Sequence, residues 1–269
     1  MEKGEFKFFL STIQRLKGID LSSYRENFLL RRLNYRLKLT KSENLFVYLN
    51  LIKKDSGEFN RFLDSLAINV SEFFRDPEVF DYFRKNCLKE LIRRKESYNS
   101  RAIRIWSAGC AYGEEAYSLA ILLKEEIDKI DEYFVSIRGT DVDKDALQCA
   151  KKAEYMLGSL KEMDKERLAK YFTPLSNNSF KLNEQIRQMV KFSQCDLIND
   201  APLKYMDVIF CRNVMIYFSK EQQDILLSKF YNALSPKGYL VIGKVETIWG
   251  NLRNKFIPVS THQKIFQKK

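Results

Sequence analysis

The stretch "IRIWSAGCAYGEEAYSLAILL" occupies residues 103–123 and decides the fold class. Its apolar start is typical of a short buried strand, and the residues after Gly113 have the pattern of a helix that begins at Glu114 and Glu115. Gly109 and Gly113 lie in the turn between the two. A strand, a glycine-bearing turn and a helix N-terminus with free backbone N–H groups together indicate a nucleotide-type cofactor site.

The charge beside this turn selects the ligand. The turn matches neither the dinucleotide fingerprint nor the P-loop, and Glu114 and Glu115 would repel a pyrophosphate. S-adenosylmethionine, which carries a sulfonium and an ammonium and no phosphate, satisfies that constraint. Asp141 ends the next predicted strand, "IRGTDVD", where an acid can accept both ribose hydroxyls. The alternative is that Asp141 or Asp143 only caps the following helix; we favour this role for Asp143 and the ribose role for Asp141.

The chain reads as a helical first quarter followed by alternating strands and helices. Strand patterns begin only after residue 100, and their alternation with helices predicts a parallel α/β sheet covered on both faces. Residues 171–193 interrupt the pattern with short strand-like pieces around "SNNS", which predicts a small antiparallel β-subdomain. We therefore expect a helical domain at 1–75, a linker helix at 76–100, and a sheet domain at 101–269 with the β-subdomain inserted.

Composition narrows the function classes. The net charge is +11, with 46 Lys and Arg against 35 Asp and Glu, which favours anionic partners. The five cysteines form no Cys-x-x-Cys pair, so we expect neither a disulfide framework nor a metal site. No apolar run is long enough for a membrane span, and the first residues do not resemble a signal peptide. We expect a cytoplasmic monomer that does not insert into membranes.

Four motifs in order, "INVSEFFRDPEVF", "RIWSAGCAYGEEAYSLA", "GTDVD" and "DVIFCRNVMIYF", closely resemble the chemotaxis receptor methyltransferases of the CheR type. The resemblance covers nearly the whole chain. It implies an all-α N-terminal domain, a Rossmann-like class I methyltransferase domain and an inserted antiparallel β-subdomain. It also implies transfer of a methyl group from S-adenosylmethionine to glutamates of chemoreceptor cytoplasmic domains, with S-adenosylhomocysteine as product.

The resemblance also implies the site residues. The positions that match the family's cofactor site are Asn69, Ser71, Arg75, Gly109, Glu115, Asp141, Asp196, Leu197, Cys211, Arg212 and Asn213. This chain departs from the usual family pattern at several positions. Those departures are Ala111 and Tyr112 in place of Ser-Thr, Ala116 in place of proline, Ser71 in place of threonine, Asp196 in place of asparagine, and Lys244-Val245 in place of His-Ser.

Methyl transfer to a glutamate requires no general base, because the ionised carboxylate is already a nucleophile at neutral pH. The resemblance places Arg75 and Tyr217 near the methyl group, where both side chains can hold the incoming carboxylate. The alternatives are a salt bridge from Arg75 to Asp76 or Glu78, and a purely structural role for Tyr217 as a core aromatic residue.

A basic stripe on the second predicted helix is the candidate docking surface for the acidic coiled coil of a chemoreceptor. Arg25, Arg32 and Arg36 recur in it at helical spacing, and Arg31 and Lys38 form a neighbouring row. A solvated helix face is the alternative. Two further functions stay open: a non-catalytic S-adenosylmethionine-binding scaffold or sensor, and a nucleic-acid methyltransferase. We disfavour nucleic acid because "CRNVMIY" differs from the loops of base methyltransferases.

Overall fold

A computed structural model describes residues 3–17, 21–66, 71–175 and 178–269. Contacts between Cα atoms divide the chain into two compact units. The helical unit consists of residues 1–68 together with 217–223, and the sheet unit consists of residues 69–216 and 224–269. The domain boundaries drawn from the sequence remain predictions.

Four helices build the helical unit. They are α1 (Lys3–Lys17), α2 (Glu26–Thr40), α3 (Leu45–Lys54) and α4 (Ser56–Leu66). The Asn44 side chain caps α3 by accepting the Val47 N–H at 3.0 Å. Aromatic rings fill the core, where Phe9 packs edge-on against Phe62 with centroids 5.8 Å apart. The segment 217–223 joins the start of α2, since Ser219 N donates to the Ser23 carbonyl at 3.0 Å.

The sheet unit opens with a helical run and continues with alternating strands and helices. The helices are α5 (Pro77–Tyr82), a π-helical turn (Phe83–Leu88), α6 (Lys89–Ser97), α7 (Glu114–Glu126), α8 (Lys144–Lys152), α9 (Lys165–Tyr171), α10 (Glu184–Arg187) and α11 (Lys220–Ala233). Residues 220–223 at the start of α11 are counted with the helical unit, and the rest of α11 belongs to the sheet unit. The strands are β1 (Ala102–Ala108), β2 (Phe134–Asp141), β3 (Glu154–Met156), β4 (Phe172–Pro174), β5 (Ser179–Leu182), β6 (Val190–Gln194), β7 (Met206–Cys211), β8 (Leu234–Ile242), β9 (Phe256–Ser260) and β10 (Ile265–Lys268).

The main sheet has the order β6-β2-β1-β7-β8-β10-β9, and its first five strands are parallel. Every residue of β7 is buried, as expected of a central strand covered on both faces. The strand order reverses between β1 and β7, which is the topological switch point where open α/β sheets bind ligands. The carboxyl ends of β1, β2, β6 and β7 therefore define one edge of the sheet, which we call the carboxyl edge.

The predicted fold class is confirmed, with two differences of detail. The small antiparallel sheet has the order β3-β5-β4, so it draws one strand from before the predicted stretch 171–193, while β6 pairs in the main sheet. Two residues of the predicted "SNNS" turn, 176 and 177, lie outside the described residues. The main sheet is also mixed, since β8, β10 and β9 pair antiparallel. Among the helices of the described residues, none has the length and apolarity to cross a membrane.

Candidate functional site

The glycine turn after β1 brings the backbone close to its neighbours. Gly109 adopts φ +77° and donates its N–H to the Thr140 carbonyl at 2.8 Å. A Cβ at Gly109 would lie 2.5 Å from a methyl carbon of Val214. Both the left-handed backbone and the lack of space therefore require glycine here. This contact joins the turn after β1 to the segment after β7.

Asp141 lies at the end of β2 beside this turn, with 9% of its surface exposed. Its carboxylate accepts the Ala111 N–H at 2.8 Å and the Asp143 N–H at 3.0 Å. Burial raises the pKa of Asp141, and these backbone donors oppose that rise. The carboxylate thus shapes the turn, whose Ala111 stands at φ +47°. Asp143 caps α8 by accepting from Asp145 N and Ala146 N, which confirms its predicted role.

Of the two glutamates at the start of α7, Glu114 is buried and Glu115 is partly buried. Ser107 Oγ donates to Glu115 Oε1 at 2.8 Å. Burial raises the pKa of Glu115, and the positive charges of Arg212 and Arg75 oppose that rise. Burial also raises the pKa of Glu114 to about 7, against a hydrogen bond with Ser71 that lowers it. These two carboxylates give the glycine turn the acidic surroundings that the sequence predicts.

The end of β7 supplies Cys211, Arg212 and Asn213 to the same carboxyl edge. The buried Glu246 side chain fastens this segment to the end of β8. Its carboxylate accepts from Gly243 N at 2.6 Å and from Asn213 N at 3.3 Å. Sequence reasoning missed Glu246, although an acid that follows a buried strand by four residues at the carboxyl edge is a usable signal.

Asp76, at the start of α5, forms ion pairs with two cations of the site. Its carboxylate lies 2.5 Å from Arg212 Nη2 and 3.2 Å from Lys244 Nζ, and Lys244 also pairs with Glu78. The Arg212 side chain is 2% exposed and lies over the Phe80 ring. The two acids that the sequence offered as partners for Arg75 therefore engage Arg212 and Lys244.

The remaining predicted site residues lie in the loop after β6, in the helical unit or outside the described residues. Leu197 is buried in the loop after β6, beside Asp196, whose carboxylate accepts from Ile198 N at 2.9 Å and Asn199 N at 3.1 Å. Asn69 lies outside the described residues. Tyr217 belongs to the helical unit, where its ring packs 5.0 Å from that of Phe28.

The structure corrects the predicted basic stripe at one position. The Arg36 side chain is only 11% exposed because it pairs with the buried carboxylate of Glu58, so it is not a surface cation. Arg25 is exposed and donates from Nε to the Phe218 carbonyl at 2.9 Å. Arg31 is exposed, and Arg32 lies partly buried over the Phe28 ring. Among the four predicted docking arginines, Arg31 is therefore both exposed and without a side-chain hydrogen bond or ion pair that the structure shows to another described residue.

Three buried polar atoms near the carboxyl edge have no hydrogen-bond partner within the described chain. They are Glu114 Oε2, Asn213 Oδ1 and Arg212 Nε. Two are acceptors and one is a donor, so a ligand that offers both N–H or O–H donors and a carboxylate would satisfy them. S-adenosylmethionine carries an ammonium, ribose hydroxyls and a carboxylate. The residues present therefore fit this cofactor.

Comparisons with known proteins agree with this site. Residues 4–67 match the all-alpha domain of CheR methyltransferase, and residues 69–265 match its SAM binding domain. A "Chemotaxis protein methyltransferase" of Borreliella burgdorferi is 33% identical over 97% of this chain and 94% of its own. A "Chemotaxis protein methyltransferase 2" of Vibrio cholerae is 31% identical over 91% of this chain and 85% of its own.

A third relative, "Chemotaxis protein methyltransferase 2" of Pseudomonas aeruginosa, is 33% identical over 90% of this chain and 86% of its own. Both parts of the family match in the expected order, and together they cover nearly all of the chain. The cofactor predicted from the acidic glycine turn is therefore confirmed as S-adenosylmethionine. The chain belongs to the CheR methyltransferase family.

Proposed function

We propose that this chain methylates glutamate side chains in the cytoplasmic coiled coil of chemoreceptors, forming glutamate methyl esters. The observation that carries the proposal is the full-length match to the family, whose relatives are named chemotaxis protein methyltransferases, combined with the acidic cofactor site at the carboxyl edge. The acceptor atom is the finer part of the proposal. It rests on the chemistry of the groups that this chain supplies.

Residues at the carboxyl edge would hold the cofactor by distinct parts. Asp141 would accept the ribose hydroxyls, and Glu114 and Glu115 would face the ammonium. Gly109 lets the turn backbone pack directly against Val214 of the segment after β7, which fixes the shape of the turn beside the cofactor. When bound, the cofactor supplies an electrophilic methyl carbon on its sulfonium. Asp196, Leu197 and the segment 211–213 would complete the site as the family resemblance implies.

The role of the protein in the transfer is positioning. A glutamate carboxylate with an ordinary pKa of about 4.3 is ionised at neutral pH, so an in-line attack requires proximity and exclusion of water. Arg75 and Tyr217 are proposed to orient that carboxylate through a forked pair of N–H donors and a hydroxyl. The one histidine of the chain, His262, is exposed in the turn between β9 and β10, where it bonds Gln263. It supports no proton-transfer role.

The test is methyl transfer from labelled S-adenosylmethionine to purified receptor cytoplasmic fragments of the same organism. A methyl ester hydrolyses in mild alkali and releases labelled methanol, whereas a methylated amine does not. We expect alkali-labile label on the fragments, and none on fragments whose methylatable glutamates are changed to alanine.

Two outcomes would contradict the proposal. Calorimetric cofactor binding without label on any receptor fragment would indicate a non-catalytic scaffold or sensor. Alkali-stable label on DNA or RNA, with salt-sensitive binding of the nucleic acid, would indicate a nucleic-acid methyltransferase.

A further inference from the structure

We propose that Lys244 is a positioning residue of the cofactor site, which acts by clamping Asp76 and thereby holding the segment 71–76 at the carboxyl edge. That segment carries Ser71 and Arg75, two residues proposed to contact the cofactor. The proposal rests on the cofactor site within the proposed function and does not depend on which group accepts the methyl.

The first observation is a continuous series of alternating charges within the sheet unit. Glu115 lies 3.8 Å from Arg212, and Arg212 lies 2.5 Å from Asp76. Asp76 lies 3.2 Å from Lys244, which also pairs with Glu78. The series begins at the buried start of α7 and ends at the half-exposed Lys244. Asp76 therefore has two cationic partners, the buried Arg212 and the more exposed Lys244.

The second observation is the backbone at Asp76. This residue precedes α5 at φ 57° and ψ 70°, a left-handed conformation, and its side chain makes no capping hydrogen bond to the helix. Phe74, two residues earlier, is also left-handed at φ 52°. Such conformations in non-glycine residues persist where surrounding contacts over-determine them. The carboxylate of Asp76 does not cap α5 but forms ion pairs with Arg212 and Lys244, and these ion pairs hold the backbone in its left-handed conformation.

The third observation is how the segment is held at its other end. Phe73 N donates to the Ser159 carbonyl at 2.9 Å, and Phe74 N donates to Ser118 Oγ at 2.9 Å. Arg75 thus lies between two anchored points, one formed by backbone donors and the other by Asp76. Loss of the Asp76 anchor would let Arg75 vary in position while the fold of the sheet stays intact.

Lysine suits this position because its charge does not titrate near neutral pH. Hydrogen bonds from Lys244 to Glu78 and Asp76 raise the pKa of Lys244 further. The groups that face it are Asp76, just before α5, and Glu78 on α5, with Arg212 behind Asp76. A histidine here, the residue usual in the family that the sequence resembles, would carry the charge only below its own pKa.

The experiment measures S-adenosylhomocysteine binding by calorimetry, so it needs no methyl acceptor. Lys244→Met is expected to raise Kd about two- to fivefold, the range for a half-exposed ion pair, and Lys244→Arg to restore it. The difference between Lys244→Met and wild type is expected to shrink at 1 M salt, where charges are screened within about 3 Å. Lys204→Met, which removes an exposed lysine from the loop before β7, is the matched control and is expected to leave Kd unchanged.

A Lys244→His variant separates positioning from a merely structural role. Its affinity is expected to equal wild type at pH 5.5, where the imidazole is charged, and to fall to the Lys244→Met level at pH 8.5. Both variants contain Glu114, which titrates in the same pH range. The ratio of the Kd values of the His and Met variants at each pH therefore removes the effect of Glu114 on binding. Hydrogen exchange of residues 71–76 is expected to speed up in Lys244→Met with the unfolding midpoint unchanged.

Equal Kd values for wild type and Lys244→Met, or a pH-independent ratio for the His variant, would overturn the proposal. Neither result would bear on methyl transfer to receptors. Conversely, receptor fragments that accept no methyl would leave these binding measurements unaffected.

Discussion

The guanidinium of Arg36 holds the carboxylate of Glu58 through two nitrogens, with Nε at 3.0 Å and Nη2 at 2.6 Å from its oxygens. The Tyr48 hydroxyl donates to the same carboxylate at 2.8 Å. Burial alone would raise the pKa of Glu58, but the hydrogen bonds from Arg36, Tyr48 and Arg61 outweigh it and lower that pKa. A cation that the helix pattern places on a docking stripe is thus part of the interior of the helical unit.

Arg36→Met is expected to destabilise the helical unit, because it leaves Glu58 buried without its main partner. Removal of one member of a buried ion pair costs about 3 kcal/mol. Hydrogen exchange of peptides from α2, α3 and α4 in the whole chain measures the loss. Arg31→Met, at an exposed position of the same helix, is the control, and equal protection in the two variants would show that the Arg36–Glu58 pair contributes little.

Receptor docking is better tested at Arg31 and Lys38, which are both exposed on α2. Charge reversal at this pair is expected to lower the second-order rate of receptor methylation and to flatten its salt dependence, because encounter between opposite charges is steered electrostatically. Cofactor affinity is expected to stay unchanged. The same reversal at the exposed Lys53 and Lys54 on α3 is the control, and an equal effect from both pairs would refute a specific docking face.

Asp141→Ala is expected to weaken S-adenosylhomocysteine binding by about 1.5–3 kcal/mol, since a charged acceptor for the ribose is lost. Asp141→Asn, which keeps one acceptor oxygen for the Ala111 N–H, is expected to lose less. Asp143→Ala is the matched control: it removes the α8 cap, costs about 1 kcal/mol of stability and leaves Kd unchanged. Calorimetry that shows equal Kd for wild type and Asp141→Ala would exclude this residue from the site.

Glu114 is expected to link stability to pH. Burial raises its pKa to about 7 in the folded protein, against about 4.3 when unfolded, so the folded state binds the extra proton in between. The contribution of Glu114 to stability therefore declines as pH rises from about 4.3 to 7. We expect Glu114→Gln to gain stability relative to wild type as pH rises from 5 to 8.

Urea midpoints at pH 5, 6.5 and 8 measure that gain. Glu43→Gln, a change at an exposed glutamate of the helical unit, serves as the control. A constant difference between Glu114→Gln and wild type across this range would show that Glu114 has an ordinary pKa.

Much of the carboxyl edge was predictable because strand ends are visible in a sequence. Gly109, Asp141 and Cys211 each follow or close an apolar run, and parallel strands bring such ends to one edge. The fold class followed from the same alternation of strands and helices. Two strands have weak sequence patterns: β9 contains Pro258, which suits an edge strand but interrupts the strand pattern, and β3 has only three residues.

Side-chain partnerships far apart in sequence were not predictable. The helix pattern shows that Arg36 lies on α2, but not that its side chain is largely buried in an ion pair with Glu58 on α4. In the same way, the sequence offers Asp76 as a salt-bridge partner for Arg75, and only the folded chain shows that it pairs with Arg212 and Lys244. Such pairings depend on tertiary contacts, which local periodicity does not encode.

The helical unit includes residues 217–223, and this has a consequence during synthesis on the ribosome. At typical elongation rates, α1 to α4 would wait on the order of ten seconds before Ser219 emerges to donate its N–H to Ser23. Until then Tyr24, just before α2, lacks the isolated β-bridge that it forms with Phe218. A nascent chain can therefore complete its helical unit only after most of the later sheet has been translated. In a fragment cut after residue 66, Ser23 and Tyr24 would lack their partners Ser219 and Phe218.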